Sequence, residues 1–110
     1  MPLSEKARIE VYLPDIDHPA YPDLLDAFDR EFTYAFGGCT LVSGLEGSYL
    51  SRLGNMMRDR INLLYTDTPF TFAANFATLS SYADKLRHAA LDALREEAIL
   101  IAVYPVFHCE

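Results

Sequence analysis

His18 follows Asp15 by three residues and Asp17 by one, while Cys39, Asp67, Glu96 and Glu97 flank later elements of the chain. A carboxylate beside an imidazole can hold a divalent metal, or orient the ring as a general base. The topology read from the sequence is expected to gather these seven residues at one end of a sheet. No spacing of the HExxH kind fixes them, and solvated loop and helix-end positions account for them more simply. No metal site is therefore assigned and no catalytic residue is named. Cys39 would need a neighbour that lowers its pKa; its acidic surroundings act the other way, so it reads as a small buried hydrophobe. His108 and Cys109 are a soft-metal pair in sequence only, because adjacent strand residues point to opposite faces. They are expected to form an unstructured tail at the end of the sheet away from Cys39. His88, beside Lys85, Arg87 and Asp92, reads as part of a solvated helix face.

The segment from Ser43 to Arg58 has the make-up of a ligand-gripping loop, with Gly44, Gly47, Gly54 and the Met56-Met57 pair. It is not a phosphate loop. GxxxxGK[ST] is absent, no strand-to-helix step follows, and turn geometry explains the glycines, so no cofactor is expected.

The chain has 110 residues, 51% hydrophobic and 13% aromatic, which is enough for one folded domain over residues 1–110. Sixteen acidic residues against nine basic ones give a net charge of -7. With no basic run to meet a phosphate backbone, neither nucleic acid nor an anionic membrane is an expected partner. Charges interrupt the N-terminus where a signal peptide needs an apolar stretch, and the run from Ala98 to Phe107 is too short to span a bilayer. A cytoplasmic protein with reduced thiols is expected.

Arg8 to Leu13 alternates Ile9, Val11 and Leu13 against Arg8, Glu10 and Tyr12, the period of a strand with one buried face. Leu24, Leu25, Phe28, Phe32 and Phe36 recur at helical spacing and predict a helix from Tyr21 to Phe36, closed by Gly37 as a left-handed cap. Thr40, Leu41 and Val42 open a second strand, in which Gly44 and Gly47 mark a bulge or a close backbone approach. Gly54-Asn55 is expected as a two-residue turn into a third strand, Met57 to Tyr65. Phe70 to Ala77 is compatible with loop or helix. From Leu79 a second helix is clear, with Ser80 or Ser81 as its cap, and Ala98 to Phe107 forms a fourth strand. Pro105 suits only a strand that lies at a sheet edge or has ended there. The order β-α-β-β-α-β is that of an α+β, ferredoxin-like sandwich: a four-stranded antiparallel sheet, ordered 4-1-3-2, with two helices on one face.

Phe36-Gly37-Gly38-Cys39-Thr40, followed by Gly47, Tyr49, Gly54 and Asp59, resembles the FGGxT…GxW…G…E pattern of small uncharacterised bacterial α+β proteins. Tyr49 takes the aromatic position and Asp59 the acidic one. Glu97-Ala98-Ile99 is similar to the acidic-x-aliphatic step that opens their last strand. The resemblance spans residues 36 to 107 and implies the ferredoxin-like fold, with no established activity.

The functional clue is the sheet face away from the helices. If Ile99, Ile101 and Val103 face the helices, then Leu100, Ala102, Tyr104 and Val106 face outward, and such an apolar outer row needs a cover. The same alternation is expected to place Glu10 and Tyr12, and Arg60, Asn62 and Leu64, on that face. Glu10, Tyr12, Arg60, Asn62, Ala102 and Tyr104 are the candidate ligand or interface residues. Two readings follow. One is a homo-oligomer, a dimer by preference, that binds a small molecule or a protein partner through this face. The other is a small dimeric α+β barrel enzyme (an isomerase, decarboxylase or monooxygenase), in which Tyr12, Arg60, Asn62 or Tyr104 assists chemistry on a small hydrophobic substrate.

Overall fold

The structure is a computed structural model that describes residues 2–95 and 99–109. It contains β1 (Leu3–Pro14), α1 (Tyr21–Phe36), β2 (Thr40–Leu50), β3 (Met56–Asp67), a single 3-10 turn (Ala73–Asn75), α2 (Phe76–Leu94) and β4 (Leu100–Cys109). The strands form one antiparallel sheet in the order β2-β3-β1-β4, the expected ferredoxin-like arrangement. Both helices cover the face formed by Ala7, Ile9, Val11 and Leu13. Phe28 and Phe32 of α1 and Leu79, Leu86 and Ala90 of α2 complete the core.

Local chemistry sets the element ends. Pro22 lies in the first turn of α1, where its missing N–H costs nothing, and Asp23 meets the positive end of the helix dipole. Gly37 ends the helix at φ 91°, its N–H donating to the Thr33 carbonyl at 2.9 Å. In β2 the two residues Ser43 and Gly44 stand against the single residue Asn62, a bulge that Gly44 permits at φ 73°. Gly47 serves the other purpose, since a Cβ there would come within 2.8 Å of the Ile61 Cδ1 atom.

Several expectations are corrected. The β2–β3 turn is three residues long, Arg52-Leu53-Gly54. Ser51 N–H donates to the Asn55 carbonyl at 2.8 Å, and Gly54 takes the left-handed position at φ 82°. Gly54-Asn55 is thus not a two-residue turn; the extra residue lets an ordinary turn be followed by one left-handed glycine. Phe70 to Ala77, for which the sequence leaves loop and helix open, is loop, then 3-10 turn, then helix. α2 therefore starts at Phe76 behind Asn75, and Ser80 and Ser81 lie inside it rather than capping it. β4 is displaced toward the C-terminus, so His108 and Cys109 belong to a strand instead of a tail. Pro105 pairs opposite Ala7 on this edge strand, where its missing donor faces away from the sheet. Glu96, Glu97 and Ala98 lie outside the described residues.

Candidate functional site: the open sheet face

Strand directions overturn the expected gathering of acidic residues, His18 and Cys39. In this antiparallel sheet β1 and β2 start at the same end, where β3 and β4 finish. Asp67 and the start of β2 therefore sit with Lys6, Arg8 and His108, while Asp15, Asp17 and His18 lie beyond the other end of β1. Cys39 and His108 line one cleft instead of occupying opposite ends.

The register also decides the faces. Arg8 stands opposite Asp67 and Tyr104, and Glu10 opposite Tyr65 and Ala102. Tyr12 stands opposite Leu63 and Leu100. Directly opposed residues share a face, so Ala102, Tyr104, Glu10 and Tyr12 project away from the helices, as expected. Asn62 and Leu64 do not. Leu64 pairs with core residue Val11, and Asn62, itself buried, donates from Nδ2 to the Tyr21 hydroxyl at 2.6 Å on the helix side. Arg60 pairs with Glu46 on the β2–β3 ribbon, beyond the last β1–β3 pair, Pro14 and Ile61. The β3 residues on the open face are Ile61, Leu63, Tyr65 and Asp67.

At the centre of this face Glu10 is only 8% exposed, although no layer formed by the described residues covers it. A buried carboxylate needs partners. Here the Tyr12 hydroxyl donates to Oε1 at 2.8 Å and the Tyr104 hydroxyl to Oε2 at 2.7 Å. Holding those protons raises the pKa of both tyrosines, with burial as the second cause. Next along β1, Arg8 grips Asp67 through two bonds, Nε to Oδ1 at 2.7 Å and Nη2 to Oδ2 at 3.0 Å, and lies 4.3 Å above the centre of the Tyr65 ring. His108 Nε2 is 2.9 Å from Asp67 Oδ2. The bonds from Arg8 hold the Asp67 carboxyl below its usual range and keep the guanidinium charged.

The polar row therefore runs Tyr12, Glu10, Tyr104, Arg8, Asp67, His108, with apolar flanks that include Leu100, which is 61% exposed. At the Asp67 end it opens into a cleft of about 390 Å³ between the glycine turn after α1 and the ends of β3 and β4, with Lys6, Cys39, Tyr65 and His108 among its walls. Burial, with Asp29 as a further cause, pushes the Cys39 thiol up to about 11, so it is a poor nucleophile at neutral pH. Among the described residues, no group of three or more His, Cys, Asp or Glu side chains is placed to hold a metal ion.

Of the six candidates, four meet here: Glu10, Tyr12, Ala102 and Tyr104. Arg8 belongs with them and shares the alternation of Glu10 and Tyr12, a signal sufficient to find it. His108 continues the alternation of Ala102 and Tyr104 once β4 is seen to extend that far, whereas Asp67 joins through register, which no local pattern reports.

No known protein family matches the chain, and no curated protein does so. Solved structures do. CutA1 from Oryza sativa superimposes with a TM-score of 0.62 at 17% identity, covering 98% of this chain and 85% of that one. The divalent cation tolerance protein CutA1 from Thermus thermophilus gives a TM-score of 0.52, also at 17% identity, covering 94% and 84%. Likeness at this level of identity is a likeness of fold, and the chain shares the ferredoxin-like α+β architecture of these proteins over nearly its whole length.

Proposed function

We propose that this is a cytoplasmic, non-catalytic homo-oligomer, a dimer at its simplest, that uses the open sheet face to associate and to bind a small molecule or a protein partner. The observation that carries the reading is the buried Glu10 carboxylate and its two tyrosines, set among exposed apolar side chains on a face that no layer of the described residues covers. An ordinary solvated face has no reason to bury an acid or to display Leu100 and Leu63 beside it. Covering a few hundred Å² of such surface contributes several kcal/mol at about 25 cal/mol per Å², before the entropy of association is subtracted. The cleft beside Asp67 is where a small ligand fits, because charged, hydroxyl and aromatic groups converge there. The barrel-enzyme alternative draws less support, since Asn62 points into the helix layer and Arg60 lies on the ribbon.

Among the described residues, no helix is long and apolar enough to cross a membrane. Light scattering tests the oligomer. The wild type is expected above 12.4 kDa. Ala102→Glu, which sets a second carboxylate beside Glu10, is expected to return it to that mass with unchanged far-ultraviolet dichroism. A wild type already monomeric at high micromolar concentration, or an Ala102→Glu oligomer of undiminished mass, refutes the reading. Native mass spectrometry of the purified protein identifies any ligand retained.

A further inference from the structure

β1 pairs with β3 only as far as Pro14 and Ile61. Beyond that point, apart from the Arg60 carbonyl, which accepts from the Asp15 N–H at 2.8 Å, β2 and β3 continue alone as a two-stranded ribbon, from Glu46 to the Ser51 turn and back to Arg60. Six residues of strand at about 3.3 Å each carry it roughly 20 Å past its neighbours, and the molecule measures 48 Å along its longest axis against 29 and 26 Å across. A lone ribbon exposed to water is expected to be polar, because by itself it is at best marginally stable. This one is polar at its base, where Glu46, Ser48, Arg58, Asp59 and Arg60 lie, but its outer end is apolar on both sides. Tyr49 and Met57 form one cross-strand pair and Leu50 and Met56 the next, so the two pairs point to opposite faces. Leu53 at the tip is 89% exposed, Leu50 73% and Met56 66%.

Tyr49 and Met57 continue the open sheet face. Leu50 and Met56 lie on the other side, where a partner stacked on that face does not reach, and Leu53 stands at the tip beyond both. From these observations we infer that the ribbon is an arm that docks on the body of a second copy of this chain, with the Leu50, Leu53 and Met56 side inserted against it. Charge favours a second copy as the occupant. From residue 46 to 60 the ribbon has three arginines and two carboxylates, whereas the rest of the chain has six basic residues and fourteen acidic ones. The exposed outer part of a cationic arm is drawn to the anionic body of another molecule. The arm is also continuous with the face proposed for association, so the inference rests on self-association while adding a second, separate contact to it.

The test uses the full chain with serine at Leu50, Leu53 and Met56 together, measured by light scattering beside Ala102→Glu, and a photo-crosslinking residue at Leu53. The exposed positions allow the fold to survive the changes, which far-ultraviolet dichroism verifies. The expected results are a dissociation constant for self-association raised tenfold or more, and crosslinked two-chain species in which Leu53 is joined to a residue outside the partner's ribbon. An oligomer of unaltered affinity, or crosslinks confined to the arm's own chain, overturns the arm. If Ala102→Glu dissociates the protein and the serine variant does not, the sheet face stands and the arm falls; the opposite pattern keeps the arm and removes the face. A monomeric wild type removes both.

Discussion

Replacing Glu10 by glutamine probes the centre of the open face while nearly preserving its shape. In the native chain each carboxylate oxygen accepts one tyrosine hydroxyl, at 2.8 and 2.7 Å. Hydrogen bonds to a charged group contribute about 1.5–3 kcal/mol and neutral ones about 0.5–1.5, so one bond that loses its charge assistance and one that must reverse, because the amide nitrogen donates and cannot accept, cost about 2 kcal/mol together. Tyr104 is partly open to water, which brings the expected loss to about 1–2 kcal/mol. In a domain of this size that lowers Tm by roughly 4–16 °C. The second readout is spectroscopic. Tyr12 and Tyr104 ionise above their usual value of 10.0, first because they donate to Glu10. In Glu10→Gln the absorbance titration should show two tyrosinates forming at lower pH than in the wild type. The linkage has a definite sign: a raised folded pKa supplies stability that is complete below pH 10 and is lost as pH rises through the folded value, so the variant should lose less stability between neutral and alkaline pH. A variant with an unchanged melting point and an unchanged tyrosine titration would show that the Tyr12–Glu10–Tyr104 contacts do not persist in solution, and would remove the main support for the proposed face.

Four further outcomes follow from single positions. Gly37→Val should cost about 1–2 kcal/mol, wholly through backbone strain, because a Cβ at this φ of 91° meets no atom within 4 Å; an unmoved denaturation midpoint would contradict the cap. Arg95 closes α2 at φ 55° with a side chain that resists this region, so Arg95→Gly should stabilise by about 0.5–1 kcal/mol in the same assay. Asp67, held below its usual 3.8 first by its hydrogen bonds to Arg8, contributes stability that is present above that value and lost as pH falls through its folded pKa; Asp67→Asn should flatten the acid limb of the stability profile. Both cysteines are thiols. At pH 8 a thiol reagent should modify exposed Cys109 well before Cys39, whose pKa is raised to about 11, and unfolding without reductant should release two thiols.

The fold was legible because its signals are local. The 3.6-residue recurrence from Leu24 to Phe36, the alternation around Ile9, Val11 and Leu13, and a glycine at the end of α1 each determine an element without reference to the rest of the chain. One face of the candidate site was legible for the same reason: Glu10, Tyr12, Ala102 and Tyr104 follow from alternation in strands whose buried row is evident. β3 defeats that logic. Its row Ile61, Leu63, Tyr65 is more apolar than Asn62, Leu64, Thr66, yet the second row faces the helices. Partners outside the strand make this tolerable. Tyr21 accepts from Asn62, the Gly38 carbonyl accepts from Thr66 Oγ1 at 2.7 Å, and Leu64 packs beside Val11. The hydrogen-bond cost of burying Asn62 and Thr66 is thus met by residues 41 and 28 positions away, which alternation cannot report. The inversion bears on function. A strand that satisfies polar groups on its helix side and turns Ile61, Leu63 and Tyr65 outward enlarges the apolar area of the open face beyond what β4 alone provides, and that added area is what the proposed association would bury.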